Sequence, residues 1–172
     1  MNTRRYSRGG TDSSRAEQGG HLRREERKRC VLVVEDDDRI RELIAMLMQS
    51  EGFKVVELGD GMEALNYLAA CEVYRDDVRR PDLVIADIQM PAFSGLDLLM
   101  GMREHRLRPP VMLVTGITDE EVHREARRLG ATCVINKPFD VDAFLSAVDE
   151  SLASPAVPAV VEPEILTTYV DA

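Results

Sequence analysis

Four short apolar runs in this chain each end in a group that could do chemistry. Cys30-Val31-Leu32-Val33-Val34 runs into four acids, Glu35-Asp36-Asp37-Asp38. Asp82-Leu83-Val84-Ile85-Ala86 runs into Asp87, followed by Ile88-Gln89-Met90-Pro91. Val111-Met112-Leu113-Val114 ends in Thr115, and Val134-Ile135-Asn136 leads to Lys137-Pro138-Phe139. If the runs are parallel strands, acid, acid, hydroxyl and amine converge at one sheet edge, where open α/β sheets carry their ligands. Grouped carboxylates suit a hard divalent cation. An ionised carboxylate is also a nucleophile and can take a phosphoryl group. Each residue alone has a blander reading: Asp87 capping a turn, Asp37 or Asp38 capping a helix, Lys137 as a solvated amine. The four groups together favour the chemical reading.

The elements that must position them are legible in the hydrophobic pattern. Short apolar runs at 30–34, 53–57, 82–86, 110–114 and 132–136 read as strands buried on both faces. Helical patterns lie between them. Ile40, Leu43, Ile44, Leu47 and Met48 follow a 3.6-residue period that Gly52 closes. Asp60 with Glu63 marks a second helix start, and Leu65 and Leu68 lie inward. Ser94 or Gly95 opens a third helix through Leu98, Leu99 and Met102. Thr118 with Glu121 reads as a capping box for a fourth that Gly130 ends. Asp140 caps a fifth, with Phe144, Ala147, Val148 and Leu152 on its apolar side. Cys71–Pro81 reads as a longer polar connection. Alternating strands and helices imply βαβ units, whose right-handed crossovers cover both faces of a parallel sheet.

The charge is unevenly spread. Residues 1–29 hold nine basic residues against four acids and few large apolar ones, which predicts a disordered basic arm, with a short helix near Leu22–Lys28 as its one candidate element. Residues 30–152 hold thirteen bases against twenty-four acids. Such an acidic body argues against a sequence-specific DNA reader. Residues 153–172 hold three acids and no base in a Pro/Ala/Val-rich stretch that predicts a flexible tail, although Ile165 to Val170 is apolar enough to dock on something. No apolar run approaches the roughly 18 residues of a membrane span. The Arg-rich start has no apolar core of a secretory signal. Cys30, Cys71 and Cys133 lack metal-ligand spacing, and the expected location is cytoplasmic.

The segment from about Cys30 to Leu152 resembles the receiver domain of two-component response regulators. Five pieces in order carry the resemblance: Val-Leu-Val-Val-Glu-Asp-Asp, Asp87 in Asp-Ile-Gln-Met-Pro, Ser94-Gly95-Leu96-Asp97, Thr115-Gly116 and Lys137-Pro138-Phe139. It implies a doubly wound five-stranded parallel sheet of the flavodoxin-like, CheY-like (βα)5 class, strand order 2-1-3-4-5. It implies Asp87 as phosphoacceptor and Mg²⁺ (or Mn²⁺) as cofactor. Asp36, Asp87 and the backbone carbonyl of Gln89 would be direct ligands, with Glu35 acting through a water. The acid run also admits Asp36-Asp37 as the metal-binding pair. Glu35-Asp36 is preferred because Ile40-Arg41-Glu42-Leu43 then falls in the family's register. Thr115 and Lys137 would answer the phosphate, with Thr115 moving inward, and the Lys137–Pro138 bond would be cis. Gly116 would leave room for a phosphodonor histidine, and Gln89 and Ile117 would tune acyl-phosphate lifetime. One departure stands out: the family often has Tyr or Phe where this chain has Val134, which removes an aromatic switch at that position.

The expected function is a stand-alone signalling switch, not an enzyme in the ordinary sense. A histidine kinase or histidine phosphotransfer protein would charge Asp87, and an unknown protein target would read the change. No DNA-binding output domain and no membrane span are expected, and receivers can form homodimers on activation. One alternative is a phosphorylation-independent docking module. Another is a Mg²⁺-dependent phosphohydrolase, which Gln89 disfavours because such enzymes place a second acid there. The basic arm could also touch nucleic acid or anionic lipid, against the plainer reading of a solvated tail. His21, His105 and His123 read as solvated residues, and Met46, Met48, Met100 and Met102 as core or helix packing.

Overall fold

Strands apolar along their whole length must be covered on both faces, and three of the five here are. In the computed structural model, which describes residues 28–75 and 79–154, β1 (Cys30–Val34), β3 (Leu83–Asp87) and β4 (Val111–Thr115) are buried from end to end. β2 (Lys54–Leu58) and β5 (Cys133–Asn136) flank them and are partly exposed. The five strands are parallel in the order β2-β1-β3-β4-β5. Alternate side chains feed two cores, as the two-residue period of a strand requires. Val31, Val33, Ile85 and Met112 pack beneath α1 (Asp38–Ser50) and α5 (Val141–Ala153). Leu32, Val34, Val84 and Leu113 pack beneath α2 (Gly61–Val73), α3 (Gly95–Met102) and α4 (Glu120–Leu129).

The expected fold class, strand order and five helices are all present. Four strands begin one residue later than the apolar runs suggested. At β2 the Phe53 N–H bonds the Met48 carbonyl, which places Phe53 in the turn. At β4 Pro110 has no N–H to give, although its carbonyl still accepts from Val84. Asp37, Asp60, Ser94 and Asp140 cap their helices, and Ser94 forms a reciprocal capping box with Asp97. The fourth cap differs. Asp119, not Thr118, accepts the Glu121 N–H at 2.8 Å, because a carboxylate one residue nearer reaches the same donor and suits the positive helix end. Gly130 closes α4 with φ +108°, a left-handed turn that other residues adopt with strain.

Several burial expectations need correction. Cys71 lies inside α2 and is buried, so the connection to β3 starts only after Val73. Leu43 and Met46 of α1 are each 54% exposed, since Ile44, Ala45 and Met48 already fill the stripe facing the sheet. Met100 is likewise exposed, whereas Met48 and Met102 are core. The proposed basic arm and C-terminal tail lie outside the described residues, apart from their inner ends. Among the described residues no helix is long and apolar enough to cross a membrane.

One close approach couples the fold to the chemistry. A Cβ added at Gly95 would stand 2.4 Å from the carbonyl oxygen of Asp87 and 3.1 Å from the Ile88 Cα. Both are main-chain atoms that cannot rotate away. Gly95→Ala is therefore expected to destabilise the protein by about 1–3 kcal/mol, the usual cost of overpacking, read as a lower denaturation midpoint in urea. An unchanged midpoint would show that the β3–α3 turn has slack.

Candidate functional site

Because the strands are parallel and in register, their C-terminal ends deliver the acid, hydroxyl and amine groups to one edge. Glu35 follows β1, Asp87 closes β3, Thr115 closes β4 and Lys137 follows β5. The Lys137 Nζ donates to Glu35 Oε2 and to Asp87 Oδ2, both at 2.7 Å. Both acids are buried: Glu35 is 1% exposed and Asp87 6%. The other Asp87 oxygen, Oδ1, accepts the Gln89 N–H at 3.0 Å. Asp36 is solvent-exposed, yet Glu35, Asp36 and Asp87 each offer a carboxylate oxygen within 4.8 Å of the others.

The electrostatics follow from burial. Desolvation, helped by repulsion from Asp87, holds the Glu35 pKa above the usual carboxylate value, although the Lys137 hydrogen bond and the Asp37 N–H pull it back. Burial works against the Lys137 charge, but its hydrogen bonds to Asp87 and Glu35 outweigh that and raise its pKa. The donor set is all oxygen, three carboxylates served by one ammonium. Such a set fits a hard divalent cation and leaves negative charge for it to neutralise.

Thr115 is fully buried, and its hydroxyl accepts the Ile117 N–H at 3.0 Å. The Thr115 carbonyl accepts the Lys137 N–H at 2.7 Å, which ties the ends of β4 and β5 together. The Lys137–Pro138 bond is cis. Gly116 is exposed, and a Cβ there would approach the Gln89 side chain to 3.2 Å. Gln89 is exposed and Ile117 half-buried. Val134 packs against the core beneath α2, α3 and α4. Asp37 caps α1 by accepting from the Arg39 and Ile40 N–H groups, and this burden distinguishes it from Asp36.

These strand ends have known counterparts. The chain matches the family described as the response regulator receiver domain over residues 31–149. The chain belongs to that family. Among curated relatives, the receiver is 34% identical over 122 residues to the regulatory protein AtoC of Escherichia coli, covering 71% of this chain and 25% of that protein. It is 33% identical to the transcriptional regulatory protein PdtaR of Mycobacterium tuberculosis, covering 70% of this chain and 55% of that protein. It is 29% identical to the sporulation initiation phosphotransferase F of Bacillus subtilis, covering 71% of this chain and 92% of that protein. The chain thus spans a quarter to about half of the transcriptional regulators' length. Among solved structures, the chemotaxis protein CheY4 of Vibrio cholerae superposes with a TM-score of 0.62 at 28% identity, over 72% of this chain and 98% of that one.

Two residues beside these strand ends were given no such contact in the sequence analysis above. Arg41 donates from Nη1 to the Glu35 carbonyl at 2.7 Å and pairs with Asp38, so α1 pins the main chain of the acid pair. Its position one turn into α1, after a run of acids, was the available signal. His123 is not solvated: it is 7% exposed and its Nε2 lies 3.0 Å from the Ile117 carbonyl. Counting back three and six residues from buried Leu129 gives Ala126 and His123, so helical spacing could have found it. His105 is half-buried against Glu72, at 3.2 Å. His21 lies outside the described residues.

Replacing Lys137 by Met should raise the protonation midpoint of Glu35. Burial and Asp87 repulsion would then act without the opposing ammonium. The fold favours the neutral acid, so the stability that Glu35 contributes should be fully present below the unfolded-state value of about 4.3. That contribution should be lost as pH rises through the higher folded midpoint. Carboxyl carbon NMR titration reads the midpoint, and an unshifted Glu35 would count against this electrostatic account.

Proposed function

We propose that the receiver, residues 30–152, is a phosphorylation-driven switch in which Asp87 accepts a phosphoryl group from the phosphohistidine of a histidine kinase or phosphotransfer protein. The observation that carries this reading is the Asp87 carboxylate: buried at a strand end, held by Lys137 and the Gln89 N–H, with two further acids beside it. An Asp87 oxygen attacks phosphorus, the P–N bond breaks, and the donor imidazole leaves with the bonding pair. Asp36, Asp87 and the Gln89 main-chain carbonyl would hold Mg²⁺ (or Mn²⁺), with Glu35 acting through a water. A bound divalent cation supplies neutralisation of the transferring oxygens. The phosphoryl group brings charge near −2 and three strong acceptors. Lys137 can follow it without moving far, and Thr115 can turn its hydroxyl from the Ile117 N–H toward it. Gly116, Gln89 and Ile117 border the path of donor and water.

The change is read by a protein partner, and the similarity to the sporulation initiation phosphotransferase F of Bacillus subtilis agrees with onward transfer as an output. A phosphorylation-independent docking module is the second reading. Its supporting observation is Val134, an aliphatic residue packed against the core in place of a ring that could swing. A phosphohydrolase is disfavoured because Gln89 cannot act as a second acid.

Incubation with a small-molecule phosphodonor and Mg²⁺, followed by intact mass, tests this. The expected result is a gain of one phosphoryl group that Asp87→Asn and EDTA each abolish. No gain under conditions that charge a known receiver, repeated with histidine kinases as donors, would favour the docking module.

A further inference from the structure

At the opposite end of β4 from Thr115 lies a cavity of about 90 Å³ between α3 and α4. Leu99, Met102, Val111 and Leu129 make its apolar lining. Arg103, Arg108 and Arg128 stand around it. Arg128 is bound to Glu125 at 2.7 Å, whereas Arg103 donates to the Arg128 carbonyl, an acceptor with no net charge. An apolar hollow bordered by three arginine side chains, of which Arg128 is paired with Glu125 and Arg108 donates to the His105 and Arg103 carbonyls, suits an occupant that is apolar in the middle and acidic at its flanks.

The chain carries such a segment. Residues 153–172 include Glu162, Glu164, Ile165, Leu166, Tyr169, Val170 and Asp171 and have no basic residue. Their point of departure is close to the cavity. α5 ends at Ala153, and its last turn is fastened to the loop after α4, where Thr132 Oγ1 donates to Ser151 Oγ at 2.9 Å. Thr132 is two residues from Gly130, which lines the cavity. The seven residues 155–161, rich in Pro and Val, span about 22 Å in extended form.

We infer that the C-terminal segment docks on its own receiver, with Ile165 and Leu166 in the α3–α4 cavity and Glu162 and Glu164 on the arginine rim. The segment thereby covers the end of the sheet opposite the acidic site and bridges α3 and α4.

A spin label tests this in the full chain. It is placed at Thr168→Cys in a Cys133→Ser background, because Cys30 and Cys71 are buried. Methyl signals of Leu99, Met102 and Leu129 should be lost, while those of Leu43 and Met46 on α1 persist. The loss should survive dilution with excess unlabelled chain and should be reversed by Glu162→Lys with Glu164→Lys. No loss at these methyls would overturn the proposal. A loss that vanishes on dilution would assign the cavity to a second copy and would also overturn it. A loss that survives charge reversal would remove the arginine pairing, and with it the proposal as stated.

Discussion

One ammonium between two buried carboxylates is the constraint on which the rest of this structure depends. Glu35 and Asp87 sit on neighbouring strands with almost no contact with water, and like charges so placed repel. Lys137 makes the arrangement tolerable by reaching both. It can do so only if β5 ends beside β4, β4 beside β3, and β3 beside β1. The strand order therefore is also the order in which charges are brought together. The hydrogen bond from the Lys137 N–H to the Thr115 carbonyl fixes the lysine's starting point. Arg41 fixes the main chain of Glu35 from the other side.

The residues of this site were legible because a parallel sheet places strand-terminal residues together whatever the details of packing. Asp87, Glu35 and Lys137 needed only the positions of four apolar runs. Asp36 and Asp37 were equivalent acids in the sequence, and what separates them is the α1 cap, in which one Asp37 oxygen accepts two main-chain N–H groups. What the sequence concealed depends on which neighbour a helix face meets. Periodicity groups Leu43 with Ile44, yet the face of α1 turned to the sheet is Ile44, Ala45 and Met48, flanked by Ile40 and Leu47. The same blindness hid His123, whose polar type argued for solvent while its spacing argued for the core. Thr118 and Asp119 were adjacent candidates for one cap, and the choice rests on reach, which composition does not record.

The two ends of the sheet carry opposite electrostatic character. At the C-terminal ends of the strands, carboxylates outnumber cations and the one lysine is shared. At the N-terminal end of β4, Arg103, Arg108 and Arg128 border an apolar hollow near the closing turns of α3 and α4. Helix polarity alone predicts this trend, because the C-terminal ends of helices favour cations. Arg127 and Arg128 in the last turn of α4 follow it. The core between the two ends is continuous: Leu99, Met102, Val111 and Leu129 belong to the same packed cluster as Val34 and Ala86, the residues that precede the acids in β1 and β3.

Ile117 has its peptide groups held from two sides. The Thr115 hydroxyl takes its N–H, and the buried His123 ring meets its carbonyl. The two anchors belong to different bodies, one to the sheet and one to α4. If the hydroxyl rotates away, the residue changes allegiance: released by the strand, it remains fastened to the helix by the imidazole. A rotation about one side-chain bond at the strand end is thereby converted into a difference in which rigid element the loop belongs to.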